Sequence, residues 1–401
     1  PSRSQPMQLG RAPIGASSWP VTHLRNSARA GPAATYQPST ISLERHAEVF
    51  RRVKAWPAYA PTPLLSLPAM AARVGVGRVY VKDEGQRFGL GSFKPLGGGL
   101  VVEDLALAAA AKGEAKPVIA TASAGNHGIG VAWGAQQAGC RSLVYLHGGV
   151  SAGAEATIRR YGAETVRVEG DYAASVRACA ADAAEHGWEA VQDTSWPGYE
   201  AVPARIYQGY TVVAEEMLEQ LRSEPSPSMP THVLINAGVG GFAAGMCAHL
   251  WERLGSERPR FIAVEPTEAN CLQCSAEAGA LTASPHSDAG TVQTGLDCTE
   301  VAEVAWRVLA TGVDDFVAVP DAVVEPAMRL LADDSPAVVA GHSAVAGIGA
   351  LLAAAAQPGL QQSLGLGPDS VVAAVICEGA VDSQAFEAAV GASPEEVQAR
   401  R

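Results

Sequence analysis

The chain has 401 residues, which is enough for two α/β domains or for one large domain with an insertion. Hydrophobic residues make up 48% of the sequence and aromatic residues 6%, so it predicts a globular protein with an aliphatic core. The net charge of −12 argues against nucleic acid or an anionic membrane surface as the main partner. No apolar run reaches the length that a membrane-spanning helix needs.

The first elements in chain order are an arm, a helix and two extended segments. Residues 1–40 are rich in Pro, Ser, Gly and Ala without periodicity, which predicts a flexible arm on the surface or on a neighbouring subunit. Residues 41–55 have the pattern of an amphipathic helix. PTPLLSLP then predicts an extended segment, and VGRVYVKDE predicts a strand.

Strands and helices alternate through the middle of the chain. PVIATAS, RSLVYLHG, ETVRVEG and WEAVQDT have the composition of strands, and Gly-terminated helical segments separate them. A long helix over residues 204–222 follows, and THVLINAG, RFIAVEP and VVAAVICEG predict further strands. This alternation predicts parallel sheets covered on both faces by helices.

Lysine is rare in the chain, and one lysine lies in an unusual context. Four of the five lysines lie on solvated faces or beside acidic residues, whereas Lys94 lies in GLGSFKPLGGG with Pro95 directly after it. Proline favours the first turn of a helix, so Lys94 is predicted at the start of one. We expect the positive end of that helix to lower the pKa of the amine and to make it a nucleophile and a base.

Two glycine-containing loops each follow a strand and precede a helix. The first is Ser123-Ala124-Gly125-Asn126-His127, and the second is Gly238-Val239-Gly240-Gly241. Backbone N–H groups at a helix N-terminus bind anions, so each loop is a candidate for a carboxylate or a phosphate. His127, on the first turn of a helix, is better explained as a packed, hydrogen-bonded residue than as a catalyst. Two anion loops and a reactive lysine suit a ligand with a phosphate at one end and a carboxylate at the other.

Two further motifs are weaker evidence for a function. Gly341-His342-Ser343-Ala344-Val345 approaches the GxSxG elbow of serine hydrolases, but Val345 stands where glycine is needed. Cys271 and Cys274 form one CxxC without a second pair or a histidine cluster, so no metal site is predicted there. The seven scattered cysteines suggest a reducing compartment such as the cytoplasm. A Cys271–Cys298 cross-link stays open.

The ordered motifs resemble fold-type II enzymes, the tryptophan-synthase-like family that uses pyridoxal 5′-phosphate, and most of all the diaminopropionate ammonia-lyase subgroup. The resemblance spans about residues 45–385 and rests on PTPLLSL, VKDEGQRFGLGSFKPLGG, GNHGIGVAW, VQDTSWPGYEAVPARIYQGYTVVAEE, NAGVGGFAAG, AVEPTEANCL and ICEG. It implies an α/β fold of two doubly wound parallel-sheet domains with the coenzyme in the cleft between them. It also implies the domain boundaries: residues 41–93 and 201–401 as the large cofactor-binding domain, and residues 94–200 as the small domain that carries the substrate-carboxylate loop.

The resemblance also implies roles for individual residues. Lys94, beside Phe93, would form the Schiff base with the coenzyme and later move the Cα proton. Asn126 would contact the 3′-oxygen of the coenzyme, and the backbone of Gly238, Val239, Gly240 and Gly241 would hold its phosphate. The loop from Ser123 to His127 would bind the substrate carboxylate. Cys377 would be the neutral partner of the pyridine nitrogen, and Asp193 or His342 would protonate the leaving group.

Two positions depart from the ammonia-lyase subgroup. That subgroup has Asp before the glycine of the GNH loop, as the base for the D-enantiomer, and this chain has Ala124. It also has Glu in GESGA, where this chain has His342. The loop sequence instead resembles L-threonine and L-serine dehydratases, so we expect activity on L-substrates only.

The expected function is therefore an α,β-elimination from a small L-amino acid that gives a 2-oxo acid and ammonia. A serine or threonine dehydratase, a β-replacement synthase and a non-catalytic homologue that binds the coenzyme remain as alternatives. The resemblance suggests a homodimer.

Overall fold

The structure, a computed structural model, describes residues 19–31, 34–37, 41–285 and 290–401. The described residues form two β-sheets with α-helices packed around them. In chain order the strands are β1 (Thr22–Arg25), β2 (Leu64–Ser66), β3 (Arg78–Asp83), β4 (Ile119–Ala122), β5 (Ser142–His147), β6 (Glu164–Val168), β7 (Glu189–Ala190), β8 (His232–Asn236), β9 (Arg260–Pro266), β10 (Asp315–Val319) and β11 (Val371–Ile376).

The helices connect these strands and cover both sheets. They are α1 (Leu43–Lys54), α2 (Pro68–Val74), α3 (Pro95–Lys112), α4 (Asn126–Ala138), α5 (Ala152–Arg159), α6 (Tyr172–His186), α7 (Ala201–Ser223), α8 (Gly241–Leu254), α9 (Cys271–Ala278), α10 (Glu303–Gly312), α11 (Val324–Ala332), α12 (Ala346–Ala356), α13 (Pro358–Leu364), α14 (Ser383–Val390) and α15 (Pro394–Gln398).

The larger sheet has seven strands in the order β1-β10-β9-β8-β11-β3-β2. The inner five strands are parallel, whereas β1 and β2 pair antiparallel at the two edges. The inner strands β8 and β10 are buried along their whole length, as expected of parallel strands with helices on both faces. The α/β class and the parallel sheets predicted from the sequence are confirmed.

The smaller sheet has four parallel strands in the order β6-β5-β4-β7. The order of strands in both sheets differs from the order in the chain, so helices cross over between parallel neighbours. All four strands come from residues 119–190, and the seven strands of the larger sheet come from the segments before and after them.

Close packing between α3 and α7 fixes the position of the segment that starts with Lys94. A Cβ added to Gly209 of α7 would lie 2.2 Å from the carbonyl oxygen of Leu96, and one added to Gly97 of α3 would lie 2.6 Å from Ile206. Only glycine leaves room for backbones at this distance. The glycines of FKPLGGG therefore allow α3 to rest directly on α7.

The structure corrects one part of the sequence interpretation. No strand was expected within residues 1–40, but Thr22–Arg25 forms edge strand β1, in register with Asp315–Ala318 of β10. Backbone pairing, the hydrogen bonds of Thr22 and His23 and the partly buried Leu24 hold β1, and its four residues contain no apolar run, so the composition gave little sign of it. The part of the predicted arm formed by residues 1–18 lies outside the described residues. No helix in the described ranges has the length and apolar character to cross a membrane.

Candidate active site

Lys94 lies where the sequence predicted it, at the N-terminal boundary of α3. Pro95 occupies the first position of that helix, and the glycines after it continue the first turn. The neighbouring Phe93 packs edge-on against Tyr210 at 4.8 Å between ring centroids and lies 4.1 Å from the ring of Phe242. Two aromatic rings, one from α7 and one from α8, thus hold the backbone that carries the lysine.

Asp193 and His127 lie beside the lysine. The Nζ of Lys94 donates to Oδ2 of Asp193 at 2.5 Å, and the same carboxylate oxygen is 3.6 Å from Nδ1 of His127. The other ring nitrogen of His127 is 2.9 Å from the carbonyl oxygen of Val191. The hydroxyl of Tyr207 donates to the backbone carbonyl of Asp193 at 2.9 Å, which fixes the segment that carries the acid.

The expectation that the helix end lowers the pKa of Lys94 is wrong in this state. Burial acts to lower the pKa of the amine, but the charge of Asp193 and the hydrogen bond to it outweigh burial and raise the pKa above its usual range. Interactions with His127 and Lys94 likewise overcome burial and lower the pKa of Asp193. The two groups therefore form an ion pair, and burial lowers the pKa of His127.

The loop from Ser123 to His127 joins β4 to α4 and leaves Gly125 exposed. Open space surrounds Gly125, because nothing lies within 4 Å of the position that a Cβ there would take, and its amide N–H donates to Oγ of Ser123 at 3.3 Å. Asn126 donates from Nδ2 to Oε2 of Glu378 at 2.6 Å, whereas its Oδ1 is buried without a hydrogen-bond partner among the described residues. Ala124 packs at the edge of the small apolar cluster around α4.

The loop from Gly238 to Gly241 joins β8 to α8, as predicted. Gly240 has a φ of +94°, a conformation that L side chains rarely adopt, and it caps the N-terminus of the 14-residue helix α8. A Cβ on Gly241 would overlap the ring of Tyr207 at 2.2 Å, and one on Gly238 would come within 3.1 Å of the Sγ of Cys298. The backbone N–H groups at this helix start are suited to an anion.

Cys377 is buried directly after β11, an inner strand of the larger sheet. Its Sγ donates to the carbonyl oxygen of Ser343 at 3.5 Å and accepts from Nδ2 of Asn236 at 3.5 Å. Burial raises the pKa of the thiol to about 12, so Cys377 is uncharged at neutral pH. His342 begins a 3₁₀ turn, His342–Ala344, and its side chain makes no hydrogen bond or ion pair within the part of the chain that the structure describes.

Two residues of this region were not singled out from the sequence. Glu378 receives hydrogen bonds from Asn126 and from the backbone N–H of Ser343, and burial raises its pKa. Cys298 is close enough to the lysine and to Asp193 for both to affect its pKa, which burial raises to about 11. Both Cys298 and Cys271 are free thiols in this structure. Glu378 adjoins the predicted Cys377 in ICEG, which was the one available signal.

The residues fit the coenzyme that the resemblance implied. The hydroxyl of Tyr210 is buried near Lys94, and the Oδ1 of Asn126 is buried on a residue that contacts Glu378; neither atom has a hydrogen-bond partner among the described residues. The loop at the start of α8 is a cradle that side chains would close, as the overlap of a Cβ on Gly241 with Tyr207 shows. Pyridoxal phosphate needs a lysine for the Schiff base, a phosphate cradle and a partner for its pyridine nitrogen. Lys94, the loop at the start of α8 and Cys377 would supply these three groups.

The parallel sheets and this set of groups define an enzyme that uses pyridoxal phosphate. The chain matches the family described as "Pyridoxal-phosphate dependent enzyme" over residues 55–378, and it belongs to that family. It is 35% identical to the diaminopropionate ammonia-lyase of Escherichia coli (strain K12), over 83% of this chain and 87% of the relative. The family resemblance predicted from the sequence is therefore confirmed.

Solved structures agree with this assignment. The structure of the Escherichia coli diaminopropionate ammonia lyase in complex with an aminoacrylate-PLP azomethine reaction intermediate has a TM-score of 0.84 to this chain at 32% identity, covering 93% of this chain and 97% of that one. The same lyase in complex with D-serine also has a TM-score of 0.84, at 31% identity, covering 96% and 99%. The fold-type II architecture is thus confirmed, and the chain is an enzyme.

Proposed function

We propose that this enzyme is a lyase that eliminates ammonia from L-2,3-diaminopropionate and releases a 2-oxo acid and ammonia. Cleavage of the Cα–H and Cβ–N bonds removes one ammonia, and hydrolysis of the remaining enamine releases the second with the 2-oxo acid. The similarity to the ammonia-lyases over most of the chain supports this reaction class. The carboxylate of Asp193, beside Lys94, supports the choice of a diamino acid as the substrate.

The observation that carries the proposal is the ion pair of Lys94 and Asp193. The carboxylate contacts the amine at 2.5 Å, and its lowered pKa keeps it ionised at neutral pH. With its amine joined to the coenzyme, Lys94 would no longer supply an ammonium partner to the carboxylate. The second ammonium group of a diamino acid is the cation that can replace it, whereas the neutral hydroxyl of serine or threonine cannot.

The remaining residues bind the substrate and move protons. The backbone N–H groups of residues 123–127, at the start of α4, bind the substrate carboxylate. Lys94, once displaced, takes the Cα proton, and Asp193 orients the leaving ammonium group. The bound coenzyme supplies the sink for the electrons of the Cα–H bond. Neutral Cys377 places no charge beside its ring, a setting that suits elimination rather than transamination.

We also propose that turnover is limited to the L-enantiomer. The D-enantiomer presents its Cα proton on the opposite face, where a second base has to take it. The methyl group of Ala124 stands where the ammonia-lyase subgroup has an aspartate, and a methyl group accepts no proton. Efficient turnover of D-2,3-diaminopropionate would contradict this part of the proposal.

The experiment is a panel of β-substituted alanines assayed for 2-oxo acid and for ammonia. The substrates are L- and D-2,3-diaminopropionate, L-serine and L-threonine, each with the purified holoenzyme. We expect the highest kcat/KM with L-2,3-diaminopropionate and two ammonia molecules for each 2-oxo acid. A preference for L-serine or L-threonine would identify a dehydratase instead. Product that forms only after a nucleophile is added would identify a β-replacement synthase.

Three further features are proposed on the same basis. Residues 94–200 would form the small domain with the substrate-carboxylate loop, and residues 41–93 and 201–401 the large cofactor-binding domain, which agrees with the separate segments that build the two sheets. The resemblance supports a homodimer, so light scattering should give about twice 41.3 kDa. Free, scattered cysteines support a cytoplasmic location.

A further inference from the structure

Three buried residues with metal-binding side chains meet on a helical layer away from the active site. They are His46 of α1, Glu215 of α7 and His249 of α8, each at most 5% exposed. One ligand atom from each residue lies within 4.8 Å of the others. The two imidazole rings are tilted against each other with centroids 4.3 Å apart.

The hydrogen bonds of His46 leave one of its nitrogens with a free lone pair. Its Nδ1 is 2.8 Å from the hydroxyl of Thr211, and that hydroxyl donates its single proton to the carbonyl oxygen of Gln208 at 2.5 Å. The Thr211 oxygen therefore accepts from Nδ1–H, and Nε2 carries no proton. This Nε2 is buried and has no hydrogen-bond partner in the described ranges.

The second imidazole, His249, contacts the carboxylate of Glu215 through its Nε2. Its Nε2 is 2.6 Å from Oε2 of Glu215, so one hydrogen bond joins the imidazole to the carboxylate. An ion bound beside this carboxylate requires the tautomer of His249 that carries its proton on the buried Nδ1, so that Nε2 and Oε2 of Glu215 both face the ion.

We propose that His46, His249 and Glu215 bind one divalent transition-metal ion of the Zn²⁺ class. Two neutral imidazoles and a carboxylate are the donor set that such ions prefer. Donor atoms around a tetrahedral ion lie about 3.3 Å apart for bonds of about 2.0–2.1 Å, so the three ligand atoms, which lie within 4.8 Å of one another, have to adjust by side-chain rotation when the ion binds. Thr211 is then a positioning residue that holds His46 in the metal-binding tautomer.

The neighbouring arginines contact only one oxygen of the Glu215 carboxylate, so the other oxygen can bind a metal ion. Arg253 contacts Oε1 of Glu215 at 3.1 Å and Arg222 lies 4.0 Å from it, so one oxygen is already compensated. The other oxygen, Oε2, faces His249. An ion here would join α1 to α7 and α8, which lie far from α1 in the sequence, and would stabilise the outer layer of the larger sheet.

The test measures Zn²⁺ binding to the holoenzyme after treatment with a chelator, by equilibrium dialysis with metal analysis. We expect one tightly bound Zn²⁺ per chain, and Co²⁺ in its place should give visible d–d bands. His46→Gln and His249→Gln should each abolish the stoichiometric ion. Thr211→Val should weaken binding by about 10–100-fold without removing a ligand. Exposed His186→Asn is the matched control and should bind as the wild type does.

Several results would overturn the proposal. Absence of a stoichiometric ion in the wild type would do so, and so would unchanged binding in both His46→Gln and His249→Gln, which would assign the ion to thiols such as Cys271 and Cys274. Circular dichroism establishes that each variant is folded. If a histidine variant does not fold, Thr211→Val decides, because unchanged affinity in that variant contradicts the assigned tautomer. Lyase activity is not needed for any of these readouts.

Discussion

At the residue scale, Lys94 is the group on which the chemistry depends. Lys94→Ala should abolish the yellow chromophore of the purified enzyme and lower the rate of elimination by at least about 10²–10⁴-fold, because both the covalent attachment and the proton transfer are lost. Absorption spectra and borohydride reduction followed by peptide mapping provide the measurement. The control is Lys112→Ala at an exposed position, which should keep both the chromophore and the rate of elimination. A labelled peptide that contains another lysine would contradict the assignment.

Asp193 separates a cationic from a neutral leaving group. Asp193→Asn keeps a hydrogen-bonding side chain but removes the charge that pairs with Lys94 at 2.5 Å. A charge-assisted hydrogen bond contributes about 1.5–3 kcal/mol, so kcat/KM for L-2,3-diaminopropionate should fall by about 10–150-fold. Any turnover of L-serine should fall less, because serine brings no second ammonium group. Equal losses for both substrates would assign Asp193 to the positioning of Lys94 alone.

Site residues that lie in local motifs could be identified from the sequence, whereas those that join the site only through long-range contacts could not. Lys94 and the two glycine loops could be found because local rules for helix starts and anion loops apply to them. Glu378 could not, because its partner Asn126 is 252 positions away in the chain. The direction of the Lys94 pKa was wrong for the same reason, since Asp193 arrives from a different part of the fold.

At the scale of elements, the contact between α3 and α7 should be sensitive to a single methyl group. In Gly209→Ala the added Cβ would lie 2.2 Å from the carbonyl oxygen of Leu96, so α7 has to move away from the helix that carries Lys94. We expect a loss of about 1–3 kcal/mol in the free energy of unfolding, measured by urea denaturation. Gly359→Ala in α13, with no atom within 4 Å of the added methyl group, is the control. Equal effects of the two substitutions would contradict the packing argument.

The elements that could be predicted were those with a regular apolar pattern. The strands β4, β5, β8 and β9 follow from short runs of aliphatic residues between glycine-terminated helices. Strand β1 did not, since THLR has no such run and depends on its partner β10. Strand β10 lies between β1 and β9, so its pairing partners come from distant parts of the chain and tertiary packing decides its conformation more than its propensity does.

At the scale of the whole molecule, contacts at the proposed site bring together the segments of the two sheets. Asn126 at the start of α4 contacts Glu378 beyond β11, and Asp193 beyond β7 contacts Lys94 at the start of α3. The sequence could predict that the ends of parallel strands carry the site, because loops at this edge bind ligands in α/β folds. It could not predict which side chains meet there.

The pH dependence of stability should report one buried acid of the larger sheet. Glu265 in β9 is fully buried and accepts the backbone N–H groups of Leu272 and Gln273, yet burial outweighs these hydrogen bonds and raises its pKa to about 8. The folded protein therefore holds this proton more tightly than the unfolded chain does. Its stabilising contribution is complete below the unfolded pKa of about 4.3 and is lost as the pH rises through 8.

The variant Glu265→Gln removes this titration. Glutamine loses part of the hydrogen bonding, so we expect the variant to be less stable than the wild type at pH 5 by about 1 kcal/mol. Between pH 5 and pH 9 the wild type should lose about 3–5 kcal/mol relative to the variant, because a pKa shift of one unit corresponds to about 1.4 kcal/mol. Urea denaturation of both holoenzymes across this range measures the difference. The control is Glu387→Gln on the exposed face of α14, which should follow the wild-type curve. Parallel curves for the wild type and Glu265→Gln would mean that Glu265 is ionised in the fold and that its two backbone donors outweigh its burial.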